Sequence, residues 1–182
     1  VGLYYKRLNN FRRKDQLDSL RKDLNDIMLG DHAKAGMVIL ANIGMWYNKM
    51  YDYRTDIPLF FKLLNDFGKA NAGSVEIAWR ETTATHWSYS ENGYFDTVKR
   101  DRGTCGPHSY NKARLGNMSG IDPRNEAVLD ILSNTHKGQF DRIHYIPFRF
   151  ATVDLWNMHT DRKSDCTHYC HHPIMWQPLW KY

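Results

Sequence analysis

Near the end of the chain, residues 165–170 read Asp-Cys-Thr-His-Tyr-Cys, which places a carboxylate, an imidazole and two thiols within six positions. Asp165 and His168 stand three apart. In a turn or a helical start, that spacing brings both groups to one side, where the acid fixes the ring tautomer and stabilises the cation formed when the base accepts a proton. Cys166 and Cys170 flank the histidine, and Cys105 is the third cysteine of the chain. Disulfides from Cys166 or Cys170 to separate parts of the fold would pin such a loop against a sheet edge. Pairing between those two would make a tight loop, and sequence leaves the connectivity open.

The same residues offer a rival chemistry. Cys166, His168, Cys170, His171 and His172 are zinc-type ligands, with Cys105, His86 or His108 as distant partners. Structural zinc sites present two separated ligand pairs, and only the first is clear here.

Two other clusters carry polar groups. Residues 42–48, Asn-Ile-Gly-Met-Trp-Tyr-Asn, contain Asn42, whose amide can meet a developing oxyanion, and Gly44, which lets backbone approach a substrate. Trp46 borders them. Residues 78–87, Ala-Trp-Arg-Glu-Thr-Thr-Ala-Thr-His-Trp, hold Arg80, a clamp for an anionic group, and His86, a candidate substrate contact. Both clusters are equally readable as ordinary loop and core residues.

The elements that would position these groups follow from hydrophobic spacing. Leu17, Leu20, Leu24 and Ile27 predict an amphipathic helix that stops at Gly30. Residues 35–42 form a short apolar run, as in a strand buried on both faces. Asp56 as cap, Pro58 in the first turn and Gly68 at the end mark a second helix. Residues 74–79 read as a strand, Asp122-Pro123 opens a helix to about Thr135, and residues 142–148 give a third strand.

This alternation predicts an α/β fold with a mostly parallel sheet and right-handed crossovers. Ligands then bind beyond the carboxyl ends of the strands, where all three polar clusters fall. The long polar stretch around 81–120 reads as a loop-rich insertion.

Composition narrows the classes. At 182 residues and 42% apolar content, one domain is expected. The net charge of +5 comes from scattered Lys and Arg, which do not make the footprint of a nucleic-acid binder. No apolar run is long enough to span a membrane, and no signal peptide opens the sequence. Asn117-Met118-Ser119 is the only N-glycosylation sequon.

The blocks occur in an order that resembles the PC-esterase and trichome-birefringence-like proteins, a branch of the SGNH (GDSL-type) hydrolase superfamily. The segment Asp165 to Trp180 is similar to that family's closing Asp-Cys-x-His-Trp-Cys block. Residues 38–48 resemble its Asn-x-Gly-His-Trp block, and residues 77–87 its Trp-Arg-Thr-Thr-x-x-x-His block. Gly103-Thr-Cys-Gly-Pro107 and the helix containing Arg124-Asn125 match two further segments. The resemblance spans roughly residues 35–182. Met45 stands where the family has His, Tyr169 where it has Trp, and His171-His172 interrupt its usual continuation.

The resemblance implies a three-layer SGNH-like fold and carbohydrate O-acyl, chiefly O-acetyl, transfer or hydrolysis without metal or organic cofactor. It casts His168 as base, Asp165 as its orienter, Asn42 and Gly44 as part of the oxyanion site, and Arg80, His86 and Trp46 as substrate contacts. It also implies the secretory pathway, in the Golgi lumen or outside the cell. The family's nucleophile is a Ser in Gly-Asp-Ser, and no Gly-Asp-Ser occurs here. The chain is therefore expected to be a partial domain over 1–182, incomplete at its amino-terminal side. Another chain or segment would carry the first strand and the Ser. A glycan-binding protein that kept the scaffold without activity, and a zinc-supported binding module, are the alternatives.

Overall fold

The computed structural model describes residues 14–29, 36–44, 47, 49–88, 104–107, 122–161, 165–170 and 177. They show a mixed α/β protein with a three-stranded parallel sheet. Two compact units are present, one drawn from 1–80 and 124–145, the other from 81–123 and 146–182. Trp46, Asn117, His108, His171 and His172 lie outside the described residues.

The first unit begins with α1, Lys14–Leu29, the span that the leucine spacing predicts. Leu20 and Leu24 are its buried stripe. Strand β1, Met37–Ala41, runs parallel to β2, Val75–Arg80, with Met37 opposite Val75 and Ala41 opposite Trp79. Strand β3, Ile143–Ile146, follows β2 in the sheet order β1-β2-β3.

β2 is central, with Val75, Ile77, Ala78 and Trp79 buried and Glu76 exposed. β1 differs from its expectation as a strand buried on both faces. It sits at the sheet edge, where Val38 and Leu40 are 72% and 50% exposed, and only its alternate residues turn inward.

Helix α2 also departs from its predicted start. It spans Met50–Ala70, so Asp56 is not a cap and Pro58 lies inside the helix. Tyr53, Ile57, Phe60, Phe61 and Leu64 bury one continuous stripe that begins before the proline, and this packing overrides the missing backbone donor. Phe60 and Phe61 meet Trp79 of β2 edge-on at centroid distances of 6.0 and 5.0 Å. Asp56 is buried and accepts from the Tyr47 hydroxyl at 2.9 Å. After α2, Gly73 at φ 88° makes a left-handed turn that suits a residue without Cβ and feeds the chain into β2.

The predicted third helix is α3, Pro123–Asp130, followed by a π turn over Ile131–Thr135. The backbone N–H of His136 donates to Ile131 O at 2.9 Å, the wider bond of that turn. Ala127, Val128 and Ile131 join the α2 core.

The second unit is built from segments rather than long elements. Residues 81–86 have no regular secondary structure, and every residue from Thr82 to Trp87 is buried. A hairpin unforeseen in sequence pairs β4, His159–Asp161, antiparallel with β5, Asp165–Tyr169.

Candidate active site

β5 carries the acid and base of the opening motif. Asp165 Oδ2 lies 2.7 Å from His168 Nδ1, and Oδ1 accepts the backbone N–H groups of Thr167 and His168 at 3.0 and 2.9 Å. The carboxylate therefore folds the chain around itself before it orients the ring. Burial pushes its pKa up, but the backbone donors of His168 and Thr167 and the His168 ring outweigh this and hold it below the usual carboxylate value. In a neutral ring whose Nδ1 donates to the acid, the lone pair sits on Nε2.

The tether of β5 is a disulfide between Cys105 and Cys166, with 5.1 Å between the Cα atoms. Trp87 and Cys105 form an isolated antiparallel bridge beside it, and Trp87 Nε1 donates to Thr167 Oγ1 at 3.1 Å. Cys170 keeps a free, exposed thiol. The bond leaves neither Cys105 nor Cys166 as a thiolate ligand.

His86, the candidate substrate contact, is a buried ring. It is 1% exposed, and its ring lies between Val153 O, 2.7 Å from Nε2, and His159 Nε2, 2.7 Å from Nδ1. Its backbone completes the brace: His86 N–H donates to Cys166 O and Gly106 N–H donates to His86 O.

Sequence reasoning missed the residues that hold this segment. Tyr169, where the resembled family has Trp, donates its hydroxyl to Ala84 O at 2.6 Å, with Thr152 O at 3.2 Å. Ala84 N–H donates to Thr152 Oγ1 at 2.9 Å. Glu81 Oε2 accepts the backbone N–H groups of Phe148 and Arg149 at 2.7 Å each. Arg149 bonds Asp122 and Thr83 O. None of these has a local sequence signal, because their partners are 17 to 85 residues away.

In the first unit, Asn42 donates its amide to Arg80 O at 2.8 Å, joining the ends of β1 and β2. Gly44 O accepts from Arg124 Nη1 at 3.3 Å. The predicted site residues thus gather as two groups: Asn42, Gly44 and Arg80 in one unit, and His86, Asp165 and His168 in the other.

Among the described residues, no helix is long and apolar enough to cross a membrane. Comparison with protein-family models, with curated proteins and with solved structures finds no match to this chain in any of the three.

Proposed function

We propose that this chain is the base-bearing part of a carbohydrate O-acyltransferase or esterase, acting on O-acetyl groups of a glycan in the secretory pathway. The observation that carries the reading is the Asp165–His168 pair at 2.7 Å on a disulfide-tethered strand. The ordered motif blocks support the SGNH-like, three-layer reading of the fold. A sheet edge with Val38 and Leu40 exposed is in keeping with a further layer or strand supplied from elsewhere. A disulfide of this kind persists in oxidising compartments, which supports the Golgi or extracellular location.

In this reading a serine hydroxyl from another chain or segment is the nucleophile. His168 Nε2 takes its proton as the oxygen attacks the acyl carbon, and Asp165 stabilises the imidazolium. By the resemblance, an amide with backbone donors would stabilise the oxyanion. The imidazolium then returns the proton to the leaving sugar oxygen. Water or a second sugar hydroxyl releases the acyl group by the same route in reverse, and exclusion of water from the cleft decides between hydrolysis and transfer.

The test is intact-mass analysis of the purified assembly before and after reduction, with peptide mapping after exposure to a fluorophosphonate probe. The expected result is one labelled serine in a Gly-Asp-Ser sequence, with labelling abolished by His168→Gln. An assembly with no labelled serine overturns the proposal and leaves the inactive glycan-binding scaffold.

A further inference from the structure

We infer that the buried rings of His86 and His159 hold one proton between their facing nitrogens, and that this pair is the positioning brace for His168.

Two neutral rings do not carry enough donors for the three contacts they make. His86 Nε2 faces Val153 O at 2.7 Å, and His159 Nδ1 faces His168 O at 3.0 Å. A carbonyl oxygen only accepts, so both outer nitrogens carry hydrogen. A neutral imidazole has one N–H and one lone pair. Two neutral rings would therefore set lone pair against lone pair across the 2.7 Å between His86 Nδ1 and His159 Nε2. One added proton converts that contact into N–H···N and keeps both carbonyl bonds.

The neighbouring hydroxyl does not supply this proton. Tyr169 Oη is 3.4 Å from His86 Nδ1, but its single hydrogen is directed at Ala84 O, 2.6 Å away. The Tyr169 ring instead lies over His159, 4.4 Å between centroids and tilted by 33°.

The charges around the pair decide how firmly it is held. Burial, the largest influence, and the His168 ring outweigh the bond to His168 O and the Asp165 carboxylate, so His159 takes up a proton less readily than a free imidazole and the shared proton is held against that cost by the two carbonyl bonds and the N–H···N contact. In the same unit, Arg149 faces its own counter-ion Asp122, and Glu81 accepts backbone N–H groups. Asp154 is exposed. Among the described residues, Asp165 is an anion that acts on both His168 and His159.

The consequence is for residue 168. Its N–H and Nδ1 are gripped by Asp165, and its carbonyl by His159 Nδ1–H and by the Thr160 hydroxyl at 3.0 Å. When the shared proton leaves as pH rises, one of the two outer carbonyls must be released and the grip on His168 loosens. The link to catalysis rests on the proposed role of His168. The proton between the rings does not.

The experiment is long-range proton–nitrogen NMR of the full native chain with imidazole-labelled histidine, across pH. The expected spectrum has both outer nitrogens protonated and one downfield proton correlated with His86 Nδ1 and His159 Nε2. As that signal is lost with rising pH, exchange of the His168 Nδ1 proton accelerates at least tenfold. In His159→Gln, whose amide donates without a charge, this pH step disappears. Two neutral rings at every pH, or a step that survives in His159→Gln, overturns the inference. Should the variant fail to fold, the wild-type spectrum alone decides. No readout needs turnover, so a shared proton in a protein without acyl transfer would remove the proposed function and leave this inference standing.

Discussion

Asp165 holds His168 by both its backbone N–H and its ring Nδ1, at 2.9 and 2.7 Å. One carboxylate thus sets the turn and the tautomer together. Asp165→Asn keeps an acceptor for the backbone but presents an N–H to the ring, which favours the wrong tautomer. Under the proposed function, kcat is expected to fall on the order of 10⁴-fold with the fold retained. Steady-state kinetics on an O-acetylated glycan checks this, and a variant of near-normal kcat would remove Asp165 from the mechanism.

The same carboxyl gives a pH prediction. Its folded pKa is below the ordinary value of 3.8, so its contribution to stability is fully present above that value. It is lost as pH falls through the depressed folded value. Acid unfolding monitored by circular dichroism should therefore fall more steeply for wild type than for Asp165→Asn. Parallel curves would show that the three hydrogen bonds contribute nothing differential.

The Cys105–Cys166 bond closes a loop with a sequence separation of 61. Chain entropy assigns such a cross-link about 4 kcal/mol. Urea unfolding with and without reductant should show a loss of that order, reproduced by a double Ser variant at 105 and 166. Cys170→Ser should leave the midpoint unchanged, since its thiol is exposed and unbonded. A large effect from Cys170→Ser would mean that another pairing holds the strand.

Asp122 and Arg149 form an ion pair whose side chains are 0% and 6% exposed, with 3.3 Å between charged atoms. Removing one partner strands a charge out of water, so Asp122→Asn should cost about 3–5 kcal/mol. Asp122→Asn combined with Arg149→Met should cost less than the sum of the single changes, because the second removes the stranded cation. Denaturant midpoints of the four proteins decide it, and strict additivity would mean that the pair is not coupled.

What could be read in the sequence was local. The leucine spacing located α1, and Asp165 and His168 were visible because three residues separate them. The order of β1, β2 and β3 followed from apolar runs between helices. The start of α2 was hidden because Pro58 looks like a boundary, while the stripe that overrides it begins at Tyr53. The exposure of β1 depends on its edge position, which no run of five residues declares. The His86–His159 contact joins residues 73 apart on segments without periodicity, so only the folded chain brings it into view.

Gly68 tests the packing of the first unit most sharply. It lies in the last turns of α2, where a Cβ would come within 2.7 Å of Ile77 Cδ1 and 3.2 Å of Arg142 Cβ. Arg142 is fixed there by its N–H on Asn65 Oδ1 at 3.0 Å and its Nη2 on Val75 O at 2.9 Å. Ala gains about 1 kcal/mol of helix propensity over Gly, but overpacking costs about 1–3 kcal/mol. Ile77 is buried and Arg142 is anchored, so Gly68→Ala should destabilise by up to about 2 kcal/mol by the same terms. Ile77→Val removes the Cδ1 atom that clashes. The double variant should consequently be more stable than the two single losses predict, and thermal melts that show simple addition would place the strain at Arg142 instead.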